Sequence, residues 1–132
     1  MKAPQVQSSA IQWDGKLPFT WHTQNALTLH TAEVAVDSII APCDGTIVAV
    51  IANLTEAPGT AAGGLQIGIV GDADYFLFHD FATTDATGVY DITGSLLLAT
   101  VTKGQKLVFG ADGDATTTGL VEVTVVIMPR NA

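Results

Sequence analysis

Apolar and polar positions alternate with a period of two over much of the chain, and no long stretch repeats apolar residues at the i, i+3, i+4, i+7 spacing of an amphipathic helix. β-Branched residues fill the runs, so strands are expected near 27–30, 32–40, 45–54, 64–71, 74–81, 89–93, 95–102, 105–110 and 119–128. The breaks between them are rich in Gly and Asp: Cys43-Asp44-Gly45, residues 57–64, Gly71-Asp72-Ala73-Asp74, Thr102-Lys103-Gly104 and residues 111–114. Such residues supply a positive φ or an Asx-turn where a chain reverses. The pattern predicts an all-β fold, an antiparallel β-sandwich of jelly-roll or other Greek-key type.

Strand parity gives a second expectation. In the last strand Val121, Val123, Val125 and Ile127 form one apolar face, and the other face is mixed. Three other strands are apolar on both parities: Ile47, Ala49 and Ile51 against Val48, Val50, Ala52 and Leu54; Tyr75, Leu77 and Phe81 against Phe76 and Phe78; Leu96 and Leu98 against Leu97, Ala99 and Val101. A two-layer sandwich leaves the outer face of each sheet in water. Doubly apolar strands would therefore expose unusually large patches, and a second copy of the chain in a closed cyclic oligomer is the expected cover.

Composition divides the chain in two. Residues 1–25 hold both Trp, Pro4, Pro18 and two of the five bases, and read as an extended N-terminal arm; residues 26–132 read as the β-sandwich domain and carry twelve of the thirteen acids. A net charge of -8 repels phosphate polyanions, which argues against nucleic acid as a partner. Every apolar run is broken before the ~18 residues a spanning helix needs, so no membrane partner is expected. The N-terminus lacks the apolar core of a secretory signal, which points to synthesis in a cytoplasm.

Candidate chemistry is sparse. Cys43 is the only cysteine, so neither an intrachain disulfide nor a cysteine-based zinc cluster can form. His22, His30 and His79 have no partner at a recognised metal spacing, and no Gly-x-Ser-x-Gly elbow occurs. Asp72-x-Asp74 and Asp112-x-Asp114 suit either calcium or tight turns with solvated carboxylates, without the twelve-residue loop of an EF-hand. Neither an enzyme nor a cofactor is expected. Tyr90-Asp91 and the 111–118 loop are the places where a glycan could be recognised.

The segment 40–48 resembles the A-P-x-x-G-x-V stretch of biotinyl and lipoyl domains. Those carriers need a lysine on a downstream hairpin, and here Lys103 stands in T-K-G-Q-K, so that reading fails. A different resemblance spans residues 26–130. A-P-C-D-G-T-I-V-A-V at 41–50, L-Q-I-G-I-V-G-D at 65–72, V-T-K-G-Q-K-L-V-F at 101–109 and V-E-V-T-V-V-I-M-P-R at 121–130 follow one another as in the small jelly-roll decoration proteins on the heads of tailed bacteriophages. Gln105 stands where that family often has an acid, a departure that would mark an interface position.

The resemblance implies a structural virion protein on the capsid surface: a tumour-necrosis-factor-like homotrimer that clamps neighbouring copies of the major capsid protein. Trp13, Lys16, Phe19 and Trp21 of the arm would then contact the capsid, and Tyr75, Phe76, Phe78 and His79 would lie at the subunit interface. Two alternatives stay open. The arm aromatics could fold back over their own sandwich as a covering strand, and the module could be a glycan- or receptor-binding head of a virion surface or fibre.

Overall fold

The computed structural model describes residues 17–23, 27–29, 33–59, 61–112 and 119–130, with backbone alone for 33–36. Ten strands run through them: β1 (Phe19–His22), β2 (Leu27–Thr28), β3 (Glu33–Ile40), β4 (Gly45–Glu56), β5 (Gly63–Ile69), β6 (Asp72–Phe81), β7 (Gly88–Asp91), β8 (Thr100–Val101), β9 (Lys106–Asp112) and β10 (Leu120–Pro129). A single 3₁₀ turn, Thr93–Ser95, lies between β7 and β8. All pairings are antiparallel, in two sheets. The first runs β1-β10-β4-β7, with β2 also on β10 and β8 also on β4; the second runs β3-β9-β5-β6. The all-β antiparallel sandwich expected from the alternation is the fold. No described helix is long and apolar enough to cross a membrane.

One core fills the space between the sheets. Val50, Ala52 and Leu54 of β4 and Val121, Val123, Val125 and Ile127 of β10 meet Leu65, Ile67, Leu77, Phe81, Leu107 and Phe109 from the opposite sheet. Aromatic contacts cross the gap at both sides: Trp21 lies 4.7 Å from Phe109 between ring centroids, and Tyr90 lies 5.7 Å from Phe81. Burial of these apolar side chains is the main term holding the layers together.

Two of the three doubly apolar strands are resolved within the chain. Along β4 and β10, Val126 faces Ala49 and Ile127 faces Ile47, which leaves Val48 as an extra residue. This bulge reverses the parity of β4, since an inserted residue shifts every later side chain to the other face. Ile47 on one side of it and Val50, Ala52 and Leu54 on the other therefore all point inward, while Val48 is 44% exposed. In β6 the irregularity is wider. Ile67 faces Leu77 and Ile69 faces Asp72, so two steps along β5 match five along β6. The slack lets the consecutive residues Phe76 and Leu77 both be fully buried.

The third segment is not the strand expected over 95–102. After the 3₁₀ turn, Leu96 forms a single bridge with Leu77, and the Leu97 and Leu98 amides donate to the Phe76 carbonyl at 2.7 and 3.3 Å. The chain then crosses to the other sheet, where the Ile47 amide donates to the Ala99 carbonyl at 2.7 Å and β8 pairs with β4. Residues 96–98 thus partly cover the free edge of β6, where unpaired backbone groups would otherwise face water.

Sequence reading also placed Phe19–His22 in the arm. These residues are an edge strand, with Phe19 facing Ile127 and His22 facing Thr124. Their alternation puts Phe19 and Trp21 over the core and Thr20 and His22 outside.

Candidate interaction surfaces

The two turn motifs singled out in the sequence meet at one end of the sandwich. The Ala41 amide donates to the Gln105 carbonyl at 2.8 Å, the Gly104 amide to the Ala41 carbonyl at 2.9 Å, and the Lys103 amide to Asp44 Oδ1 at 2.8 Å. Arg130 closes the cluster from the end of β10, donating through Nη1 to the carbonyls of Gly45 (2.8 Å) and Val101 (3.2 Å). Glycine is required at 45 because a Cβ there would stand 2.7 Å from Ile127 Cγ2 and from the Met128 carbonyl oxygen. Gln105, expected to mark an interface, accepts the Thr102 amide through Oε1 at 3.0 Å and so caps its own turn. Cys43 is half-buried beside this cluster; burial and the Asp44 carboxylate push its thiol up, against Arg130 and Lys103.

The residues expected to contact partners fall into distinct environments. Trp13 and Lys16 lie outside the described residues. Phe19 and Trp21 are half-buried against the core, so over 19–22 the chain adopts the covering-strand arrangement, and Trp21 spends its ring on Phe109. Phe76 is 0% exposed and belongs to the core, which removes it from any subunit interface. Tyr75, Phe78 and His79 are half-buried. Phe78 lies against Gly64, where a Cβ would stand 2.6 Å from its Cε1 atom. His79 Nδ1 is 2.7 Å from Ser95 Oγ, and its ring packs edge-on to Phe81 at 4.7 Å. Burial holds this imidazole below its ordinary range, partly opposed by Asp85 and Asp80.

The acidic positions mostly serve turns. Asp91 Oδ1 accepts from the Thr93 amide (3.1 Å) and hydroxyl (2.6 Å), and those bonds hold its carboxyl below the usual range. Thr93 Oγ1 in turn accepts the Val50 amide at 3.0 Å, which satisfies the central strand where β7 has ended. Tyr90, one of the positions considered for glycans, has its ring against Phe81 and its hydroxyl donating to the Ala86 carbonyl. Asp72 and Asp74 share a side-chain hydrogen bond that raises the Asp72 carboxyl. Among the described residues no three His, Cys, Asp or Glu side chains stand together as a metal site would need. His30 and Asp114 lie outside the described residues.

Two surfaces remain. Leu97 and Leu98, 62% and 45% exposed, project from the segment covering the β6 edge. On the other sheet, the outward residues of β1, β10, β4 and β7 form a concavity of about 410 Å³ lined by His22, Ile51, Asn53, Val89, Glu122 and Thr124 among others. Register explains the grouping: Ile51 faces Thr124 and Asp91, Asn53 faces Glu122 and Val89, and His22 faces Thr124. Within it His22 Nδ1 is 3.0 Å from Thr124 Oγ1, and Asn53 Nδ2 donates to Glu122 Oε1 at 3.3 Å. Sequence reading missed this surface because its residues come from four strands and share no motif; only cross-strand register assembles them.

Comparison with known proteins adds little to this picture. No family model and no curated protein matches the chain. Among solved structures, a chain of the acidic stable capsid structure of Helicobacter pylori bacteriophage KHP30 is similar, at 15% identity over 86% of this chain and 93% of that one, with a TM-score of 0.49. A likeness so distant carries no inference about function.

Proposed function

We propose that the protein is a structural virion protein of phage heads, a decoration protein that self-associates as a homotrimer and binds the major capsid protein on the outer capsid surface. The observation that carries this reading is the strand order. With β1 and β2 counted as one interrupted strand along β10, and β7 and β8 as another along β4, the first sheet contains the first, eighth, third and sixth strands and the second sheet the second, seventh, fourth and fifth. That order supports a jelly-roll reading, an architecture common in viral capsid domains. Fold alone does not decide function, so the exposed side chains bear the rest of the argument. Leu97 and Leu98 are exposed on the segment that hydrogen-bonds to Phe76 at the β6 edge, an apolar pair suited to burial against a second copy.

The motif order described above supports the same reading, with the capsid-binding role assigned to the residues preceding β1. The test is rebinding to heads. Capsids assembled without the protein should recover it at saturable sites and become more resistant to heat, and a variant lacking residues 1–16 should not rebind. Heads that neither bind the intact protein nor gain stability would overturn the proposal.

A further inference from the structure

We infer that the concave outer face of the β1-β10-β4-β7 sheet receives a lysine or arginine side chain presented by a protein partner. This inference stands apart from the virion reading, because it rests on the groove and on the charge of the chain. Its volume of about 410 Å³ is in the range of ligand-sized clefts. Ile51 and Val89 supply apolar contact, and Val89 is 72% exposed on an edge strand. The Glu122 carboxylate lies across the strand register from Asn53, whose amide holds one of its oxygens. Asp91 stands on the same outward face, opposite Ile51. His22, tied to Thr124, is the one basic side chain lining the groove among the described residues.

These features match the two parts of a long basic side chain. Its methylene stem can lie along Ile51 and Val89, while its charged head reaches Glu122. The field of the whole chain acts in the same direction, since thirteen acids against five bases attract a cation and repel an anion. A saccharide fits less well, for among the described residues the lining offers no Phe, Tyr or Trp on which a sugar face could stack.

The test is a ¹H–¹⁵N NMR titration of the full chain with the capped tripeptide acetyl-Gly-Arg-Gly-amide, its Gln analogue and methyl α-glucoside as probes. The arginine peptide should shift the Asn53 side-chain amide and the Ile51, Val89 and Glu122 backbone amides together. Glu122→Gln, an exposed change that keeps the Asn53 bond, should weaken that response about tenfold, as should the Gln peptide. Shifts from the glucoside without the arginine peptide would assign the groove to sugars. No response to the arginine peptide, or an equal response in Glu122→Gln, would also overturn the inference.

Discussion

β4 and β6 carry the same sequence signal, apolar side chains on both parities, and the fold treats them differently. β4 lies between two neighbours and absorbs the signal with one extra residue, Val48, after which the core-facing set moves from odd to even positions. β6 is an edge strand; it absorbs the signal with a wider irregularity and with the covering segment 96–98. The lesson is that a doubly apolar strand does not by itself demand a partner chain. A phase change inside the strand produces the same pattern, and candidates for a subunit surface are found among the residues left outside after it, such as Val48 on β4 and the Leu97–Leu98 pair beside β6.

The sharpest way to break this comparison is to truncate the residues assigned to opposite sides of each irregularity. Phe76→Ala should cost about 3–5 kcal/mol in urea unfolding, as for a fully buried aromatic, and Phe78→Ala clearly less. Equal costs would mean that β6 does not change phase. On β4 the expected contrast is smaller. Ile47→Ala should cost about 2–4 kcal/mol and Val48→Ala under about 1, measured on dilute protein to exclude association. A larger loss at Val48 would place it, not Ile47, in the core.

The edge strand β1 offers a third contrast, now between the arm and the sheet. Trp21→Ala should lower stability by about 2 kcal/mol, because a half-buried ring loses its packing on Phe109. Removing residues 1–16 should leave the urea midpoint where it was. A midpoint that falls on that deletion and stays put in Trp21→Ala would show that the sandwich depends on the segment before β1.

The smallest expected effect is on pH. The native imidazole of His79 is held below its unfolded value, so the unfolded chain binds the proton first and stability falls as pH drops from about 6.5 through the native value. Asp91, also depressed, adds a loss of the same sign at more acidic pH, below about 4, whereas Asp72, raised by its neighbour, works in the opposite direction. Thermal melts of His79→Gln should therefore show a flatter profile between pH 7 and 5 than the parent, and identical slopes would contradict the assignment.

Much of the fold was legible because sandwich chemistry is local. Turn residues marked most strand ends, and the alternation in β10 gave its core face directly. What was not legible depends on pairing. The bulge at Val48 is defined by β10, the burial of Phe76 by β5 and residues 96–98, and the strand character of Phe19–His22 by the edge of β10, which lies near the other end of the chain. The groove around Glu122 was hidden for the same reason, since Asn53 and Glu122 meet only through register.

Sedimentation equilibrium at micromolar concentration tests the central claim most directly, comparing the intact protein with Leu97→Asp/Leu98→Asp. The account predicts the mass of three 13.7 kDa chains for the parent and a folded single chain for the double variant. A monomeric parent, or a double variant that stays trimeric, would contradict it.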